Sequence, residues 1–191
     1  MLVFNIEVLG MKSALIRAGY PMQTIVNEEI TLDSTPKEKL IERGKRLAHS
    51  PIGHGDDKFL RQIIVTFDVK APRYWWQQFA TYSHTVMNSQ STMHKGLKLN
   101  YRLMANKYVD EEILAIFEKL IENYNKEPSQ DNFMKVKSNL PEGIEIVAGV
   151  STNYAQLRTI YFQRKSHRLP EWRIFCDWIE TLPYAKEFIC G

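Results

Sequence analysis

The side chains with the most evident capacity for chemistry lie between Asn88 and His94. This segment is built almost entirely from short hydroxyl and amide residues, namely Asn88, Ser89, Gln90, Ser91 and Thr92, followed by His94. Such side chains offer many hydrogen-bond donors and acceptors, which suit a phosphate group or the edge of a base. The same composition is typical of a polar surface turn, so both interpretations stay open. Because apolar periodicity is absent here, we predict a loop rather than a helix or strand.

A second candidate group is the densest basic cluster of the chain, which ends at Pro170. It contains Gln163, Arg164, Lys165, His167 and Arg168. An arginine can bind a phosphate through two parallel hydrogen bonds, whereas a basic helix end can also simply complement the helix dipole. Together with the hydroxyl and amide segment, this cluster favours an anionic small molecule as the ligand.

Other kinds of site are less well supported. His54 lies near Asp56 and Asp57, but these residues lack a third ligand in register, so we predict a solvated loop and no metal site. Glu118 and Glu122 fall on the polar face of an amphipathic pattern, which predicts a solvated surface rather than paired catalytic carboxylates. The chain has no glycine-rich phosphate loop, no GxSxG and no HExxH motif.

Composition is that of a folded globular protein. The length of 191 residues predicts one domain, or one domain with an appended helical lobe, and the hydrophobic content of 44% with 12% aromatic residues predicts a sizeable core. Lysine and arginine total 25 against 22 acidic residues, a weak preference for anionic ligands. Cys176 and Cys190 form no metal-binding spacing and predict reduced thiols. Because Leu2–Leu9 does not resemble a signal peptide and no apolar stretch is long enough to span a membrane, we expect a cytoplasmic protein.

Periodicity predicts a mixture of strands and helices. The predicted strands are Leu2–Leu9, Thr24–Leu32, Gln62–Val69 and Ile144–Val150. The predicted helices are Met11–Ala18, Pro36–Ala48 begun by Asp33, Ser34 or Thr35, an aromatic helix opened by Pro72, Val109–Asn125, part of Pro128–Ser138, a helix capped by Ser151 or Thr152, and Glu171–Glu180. The fold class is therefore α+β.

The aromatic helix is predicted to anchor the core. Trp75, Phe79 and Tyr82 are spaced by four and three residues, so they share one helical face. The strand Gln62–Val69 leads directly into this helix, and the hydroxyl and amide segment follows it. This order predicts one wall of a binding site.

In these segments the chain resembles the flavin-dependent thymidylate synthase (ThyX) family. One matching region is Arg61–His94, with a strand, an aromatic helix containing Gln78, and the run Asn88-Ser89-Gln90-Ser91. The other begins at Leu140-Pro141 and continues with Asn153, Arg158, Gln163-Arg164 and His167 before a helix containing Glu171-Trp172. The resemblance covers about half of the chain. It implies a ThyX-like domain over residues 1–191, with a central, mostly antiparallel sheet, flanking helices and a helical insertion at about 98–138.

The resemblance also implies roles for individual residues. It places Gln78, Asn88, Ser89, Gln90, Ser91 and Arg164 at a nucleotide site. It places Tyr82, Ser83, His84, Asn153, Arg158 and His167 near a flavin cofactor. The implied reaction is reductive methylation of deoxyuridine monophosphate (dUMP) at C5, with FAD, methylenetetrahydrofolate and NADPH, in a homotetramer with sites between subunits.

The chain departs from the family signature. Where the family has arginine-histidine-arginine, this chain has Thr81, Tyr82 and Ser83, and where the signature ends in arginine it has Met93. The family's arginines bind phosphates, so their loss leaves two hypotheses open. One is a flavin-dependent enzyme; the other is an inactive ThyX-fold protein that binds or sequesters a nucleotide without flavin chemistry. Nucleic-acid binding through Arg158 to Arg173 is disfavoured, because the aromatics there have the spacing of a helical core rather than of a stacking platform.

Overall fold

The computed structural model describes residues 1–26, 35–51, 54–92 and 96–191. Its strands are β1 (Leu2–Leu9), β2 (Ile64–Pro72), β3 (Val86–Ser89) and β4 (Glu145–Asn153). Its α-helices are α1 (Met11–Arg17), α2 (Glu38–Ala48), α3 (Arg73–Phe79), α4 (Tyr101–Met104), α5 (Glu111–Lys126), α6 (Gln130–Ser138), α7 (Tyr154–Arg164) and α8 (Pro170–Glu180). Three 3₁₀ helices, Tyr20–Met22, Asp56–Gln62 and Gly96–Lys98, and a π-helix, Lys186–Cys190, complete the described elements.

The four strands form one antiparallel sheet in the order β1-β2-β4-β3. Strand β2 shows why one face of this sheet packs on helices. Val65, Phe67 and Val69 are at most 2% exposed, whereas the alternate residues of the strand are only half-buried. This alternation is the pattern that predicted the strand, and the α+β fold class is confirmed.

Two predictions in the amino-terminal part of the chain differ from the structure. Helix α2 begins at Glu38 rather than Pro36, and its N-cap residue Lys37 is still extended. The residues Asp33 and Ser34, predicted to begin that helix, lie outside the described residues. Of the predicted strand Thr24–Leu32, the described part, residues 24–26, is not a strand, and the remainder lies outside the described residues.

Three corrections concern the predicted site. Asn88 and Ser89 lie in β3 and not in a loop, and all four residues of this strand are exposed, so no apolar pattern marks it. Helix α7 is capped by Asn153 rather than by Ser151 or Thr152, because β4 continues as far as Asn153. Helix α3 ends at Phe79, so Tyr82 lies beyond the helix, although its side chain is buried as expected.

The chain divides into two compact units. The first contains Met1–Leu2, Val69–Thr81 and Asn88–Ala148; the second contains Val3–Asp68, Tyr82–Met87 and Gly149–Gly191. In the first unit, helices α4 to α6 surround a core of Tyr101, Leu114, Phe117, Val136, Leu140 and Ile144. In the second, the Phe67 ring lies 4.6 Å from the Trp178 ring and 5.8 Å from the Phe175 ring, between centroids.

Candidate functional site

Arg164 is the last residue of helix α7 in the second unit. The helix forms because Leu157, Ile160 and Tyr161 recur at spacings of three and one on a buried face. Its amino terminus is capped by Asn153, whose side-chain oxygen accepts a hydrogen bond of 2.9 Å from the backbone N–H of Gln156. The cap and the buried face fix helix α7 in place, and the helix in turn positions Arg164 at its carboxyl end.

The guanidinium of Arg164 packs against two aromatic rings. Its Cζ is 4.7 Å from the centroid of the Trp172 ring and 5.7 Å from that of Tyr82. The two rings are 5.9 Å apart and inclined at 73°. Because the face of an aromatic ring attracts a cation, this corner stabilises the charge and orientation of the guanidinium.

The Tyr82 hydroxyl adds a directional contact. Arg164 Nε–H donates a hydrogen bond of 2.7 Å to the Tyr82 oxygen, and the Tyr82 O–H donates one of 3.1 Å to Gln163 Oε1. Tyr82 is only 7% exposed, so both bonds lie at the edge of the core. We call Tyr82, Gln163, Arg164, His167 and Trp172 the Arg164 cluster.

His167 is the fifth member of the cluster and also contacts Trp172. Its ring centroid is 6.4 Å from that of Trp172, and its Nδ1 accepts a hydrogen bond of 3.2 Å from the backbone N–H of Leu169. Burial, followed by the positive charges of Arg164, Arg168 and Arg173, lowers the pKa of His167 below its ordinary value of 6.5. The imidazole is therefore mostly neutral at pH 7 and adds little positive charge to the site.

The other residues assigned to a cofactor have structural partners in the second unit. Arg158 Nη1 donates a hydrogen bond of 2.6 Å to the Ala48 carbonyl, and the same nitrogen lies 3.7 Å from Asp57 Oδ2. Asn153 caps α7. The backbone of His84 accepts a hydrogen bond of 2.9 Å from the Thr152 hydroxyl, while the His84 side chain is exposed.

The predicted nucleotide-binding residues other than Arg164 belong to the first unit. Asn88 and Ser89 lie exposed on β3. Gln90 continues the pairing with β4: its N–H donates to the Val147 carbonyl at 2.9 Å, and its Oε1 accepts from the Val147 N–H at 2.9 Å. Gln78 and Ser91 are half-buried. The ligand roles of all five residues stay predictions.

Sequence reasoning missed a lysine beside this segment. Lys137 Nζ on helix α6 donates hydrogen bonds to the carbonyl oxygen of Thr92 at 3.0 Å and to its hydroxyl at 3.1 Å. Burial, assisted by the charge of Arg73, lowers the pKa of Lys137 below its ordinary value. No sequence pattern predicts this contact, because the two residues are 45 positions apart.

The structure thus brings together Tyr82, Arg164 and His167 and adds Gln163 and Trp172. The sequence analysis places Gln163 in the basic cluster and both Gln163 and Trp172 in the segments that resemble the family, but it assigns neither residue to a ligand. The sequence placed Gln163 near the end of one predicted helix and Trp172 near the start of the next. It could not show that Tyr82 would meet them.

Among residues 1–26, 35–51, 54–92 and 96–191, no group of three or more His, Cys, Asp or Glu side chains is arranged to hold a metal ion. His54 and Asp56 instead border a cavity of about 400 Å³ in the second unit, together with Arg17 and Lys58. No helix of the described ranges is long and apolar enough to cross a membrane.

Two crystal structures of thymidylate synthase X from Helicobacter pylori are similar to this chain. The first, with FAD and dUMP, superimposes with a TM-score of 0.73 at 17% identity and covers 99% of this chain and 97% of that one. The second, of the flavin-dependent enzyme complexed with FAD and dUMP, gives 0.70 at 18% identity with the same coverage. No protein-family profile and no curated protein sequence matches the chain. The chain therefore has the ThyX fold.

The segment Thr81–Ser83 offers a poor fit to a flavin dinucleotide, whose two phosphates are anionic. The Thr81 hydroxyl donates to the Gln78 carbonyl at 2.7 Å, and the Tyr82 hydroxyl bonds with Arg164 and Gln163. Ser83 is exposed and uncharged. These three residues supply no positive charge for a phosphate. They therefore do not fit the phosphates of a flavin dinucleotide.

Proposed function

We propose that this protein binds a pyrimidine deoxynucleotide, and that Arg164 is a principal contact. The observation that carries the proposal is the guanidinium of Arg164, held by Tyr82 and Trp172 at the end of helix α7. A pre-oriented arginine loses little freedom on binding and presents a planar fork to a phosphate or a carbonyl oxygen. The ThyX fold supports a nucleotide as the ligand, since the similar crystal structures contain dUMP.

We also propose Gln78, Asn88, Ser89, Gln90 and Ser91 as nucleotide contacts, as the resemblance implies. Exposed amide and hydroxyl groups on β3 would orient the base or sugar by hydrogen bonds. We also propose a homotetramer, as the resemblance implies. In such an assembly a site between subunits would take residues from more than one chain.

Equilibrium binding of dUMP tests the proposal. Replacing Arg164 by Ala should weaken binding by about 1.5–3 kcal/mol, the range for a hydrogen bond to a charged group. Arg168→Ala is the matched control, because this exposed arginine belongs to the same basic stretch but not to the Arg164 cluster. Equal affinities of the wild type and Arg164→Ala would contradict the proposal.

A second candidate is a ThyX-fold protein that has lost catalysis and binds or sequesters the nucleotide. The favouring observation is that Thr81 and Tyr82 use their hydroxyls within the protein and that Thr81, Tyr82 and Ser83 themselves carry no positive charge. The alternative is that the nucleotide-binding protein is a flavin-dependent enzyme. In that case FAD, methylenetetrahydrofolate and NADPH would take part in methylation at C5 of dUMP.

Two measurements separate these candidates. The visible absorbance spectrum, recorded after incubation with FAD and gel filtration, shows whether flavin is retained. Release of tritium from C5 of labelled dUMP under reducing conditions, with FAD and the folate present, shows whether C5 is activated. Retained flavin with tritium release would establish the enzyme. A colourless protein that binds dUMP without tritium release would establish the second candidate.

A further inference from the structure

Tyr82 occupies an unusual place, since one hydroxyl joins two residues of helix α7. It accepts a hydrogen bond from Arg164 Nε–H at 2.7 Å and donates one to Gln163 Oε1 at 3.1 Å. Because the proton of the hydroxyl is directed to Gln163, its lone pairs are available to Arg164. Gln163 therefore sets the direction in which the Tyr82 oxygen accepts.

The Arg164 side chain is constrained in two independent ways. The hydrogen bond at Nε fixes the inner end of the guanidinium, and the Trp172 ring, 4.7 Å from Cζ, fixes its plane. Trp172 itself is fully buried and cannot reorient freely.

We propose that Tyr82 is a positioning residue, which holds the guanidinium of Arg164 in the orientation that contacts the phosphate or the base carbonyl of a pyrimidine deoxynucleoside monophosphate. This inference rests on the proposed nucleotide-binding function. It assigns Tyr82 to Arg164 rather than to a flavin. Tyr82 acts through Arg164 and does not itself touch the nucleotide.

The substitution Tyr82→Phe isolates this role, because it removes the hydroxyl and keeps the ring. Binding of dUMP should weaken about tenfold, since the arginine must then be ordered during binding. In an Arg164→Gln background the same substitution should cause no further loss, because no guanidinium is left to position. A purely structural role of Tyr82 would weaken binding equally in both backgrounds.

Tyr154→Phe is the matched control. Its hydroxyl donates to the Pro183 carbonyl at 2.7 Å in the same unit, away from Arg164. This variant should lose stability in the same manner as Tyr82→Phe but keep the affinity for dUMP. An affinity loss in Tyr154→Phe as large as that in Tyr82→Phe would overturn the inference.

A second readout does not require nucleotide. In ¹H–¹⁵N spectra of arginine side chains, the Arg164 Nε–H should exchange slowly with water in the wild type and quickly in Tyr82→Phe. If the wild type fails to bind dUMP, the proposed function fails, and this exchange rate alone decides whether Tyr82 positions Arg164. An unchanged exchange rate, or wild-type dUMP affinity in Tyr82→Phe, would overturn the inference.

Discussion

Arg164 and His167 both lie near the indole ring of Trp172 but differ in charge. The Trp172 ring lies 4.7 Å from the Arg164 guanidinium carbon and 6.4 Å from the His167 ring centroid. An arginine keeps its charge at any physiological pH, whereas the pKa of His167 is lowered by burial and by neighbouring arginines. A site that had to attract an anion would thus depend on Arg164, with His167 contributing hydrogen bonding instead of charge.

The titration of His167 can be measured directly. By NMR, its ring protons should titrate with a midpoint below 6.5, the ordinary histidine value. Arg168→Gln, which removes one of the exposed cations that lower this pKa, should move the midpoint upward. A wild-type midpoint at or above 6.5 would show that neither burial nor the arginines control this residue.

At the scale of elements, periodicity explains what could be predicted. Strand β2 could be predicted because Val65, Phe67 and Val69 alternate with Thr66 and Asp68 in the sequence. These three apolar residues are the buried ones in the structure. Strand β3 was not visible because its four exposed residues carry no apolar pattern, and its pairing depends on β4, far along the chain. A strand of this kind is determined by tertiary pairing rather than by its own composition.

The contacts of the candidate site escaped prediction for a related reason. Tyr82 and Arg164 are 82 positions apart, and only the packing of the second unit brings them together. The sequence could show that Arg164 ended a helix and that Tyr82 was buried. The hydrogen bond between them follows from the path of the chain between residues 80 and 86, which no local pattern encodes.

Asn153 was predicted to lie near a flavin, but the structure gives it a structural role as the cap of helix α7. Its side chain caps helix α7 through Gln156 N–H. Asn153→Ala should lower the free energy of unfolding by about 1 kcal/mol, whereas Asn153→Asp should retain the stability, because a carboxylate also caps and complements the helix dipole. Urea unfolding followed by circular dichroism measures both. Equal losses in the two variants would argue against the capping role.

Helix α2 passes closely over its neighbours at Gly44. A Cβ there would lie 2.5 Å from Leu15 Cδ2 and 3.0 Å from Phe188 Cε1, and both of these side chains are buried. Gly44→Ala should therefore destabilise the protein by about 1–2 kcal/mol, because overpacking outweighs the gain of about 1 kcal/mol in helix propensity.

The control for Gly44→Ala is Lys45→Ala on the exposed face of the same helix, which should change stability by less than about 0.5 kcal/mol. Thermal unfolding in parallel gives the comparison. A Gly44→Ala protein as stable as the wild type would mean that Leu15 and Phe188 can move aside without cost.

Over the whole molecule, several buried groups hold their protons more tightly than usual. Burial raises the pKa of Cys176 to about 12 and that of Cys190 to about 11. The pKa of Tyr154 is raised by burial, and that of Tyr161 by its hydrogen bond to Glu180 and then by burial. Lys137 differs from these groups: its pKa is lowered, because burial disfavours its charged form, so it loses its proton more easily than usual.

These shifts predict a loss of stability in alkaline solution. A thiol whose pKa is higher in the folded state contributes stability that is fully present below its unfolded value, near 9.0, and is lost as the pH rises toward the folded value. The two tyrosines add the same dependence above their ordinary value of 10.0. Lys137 alone has the opposite effect on stability, against two thiols and two tyrosines. The free energy of unfolding should therefore fall above about pH 9.

Urea unfolding at a series of pH values between about 8 and 10.5 measures this dependence, which for one group cannot exceed about 1.4 kcal/mol per pH unit. Cys176→Ala removes one titrating group that is only 2% exposed, so its stability profile should be less steep than that of the wild type above about pH 9. Parallel profiles for the two proteins would mean that the Cys176 thiol titrates as freely in the folded chain as in the unfolded one. A shallower profile for the variant would instead show that the buried, protonated thiol contributes to the stability of the second unit at neutral pH.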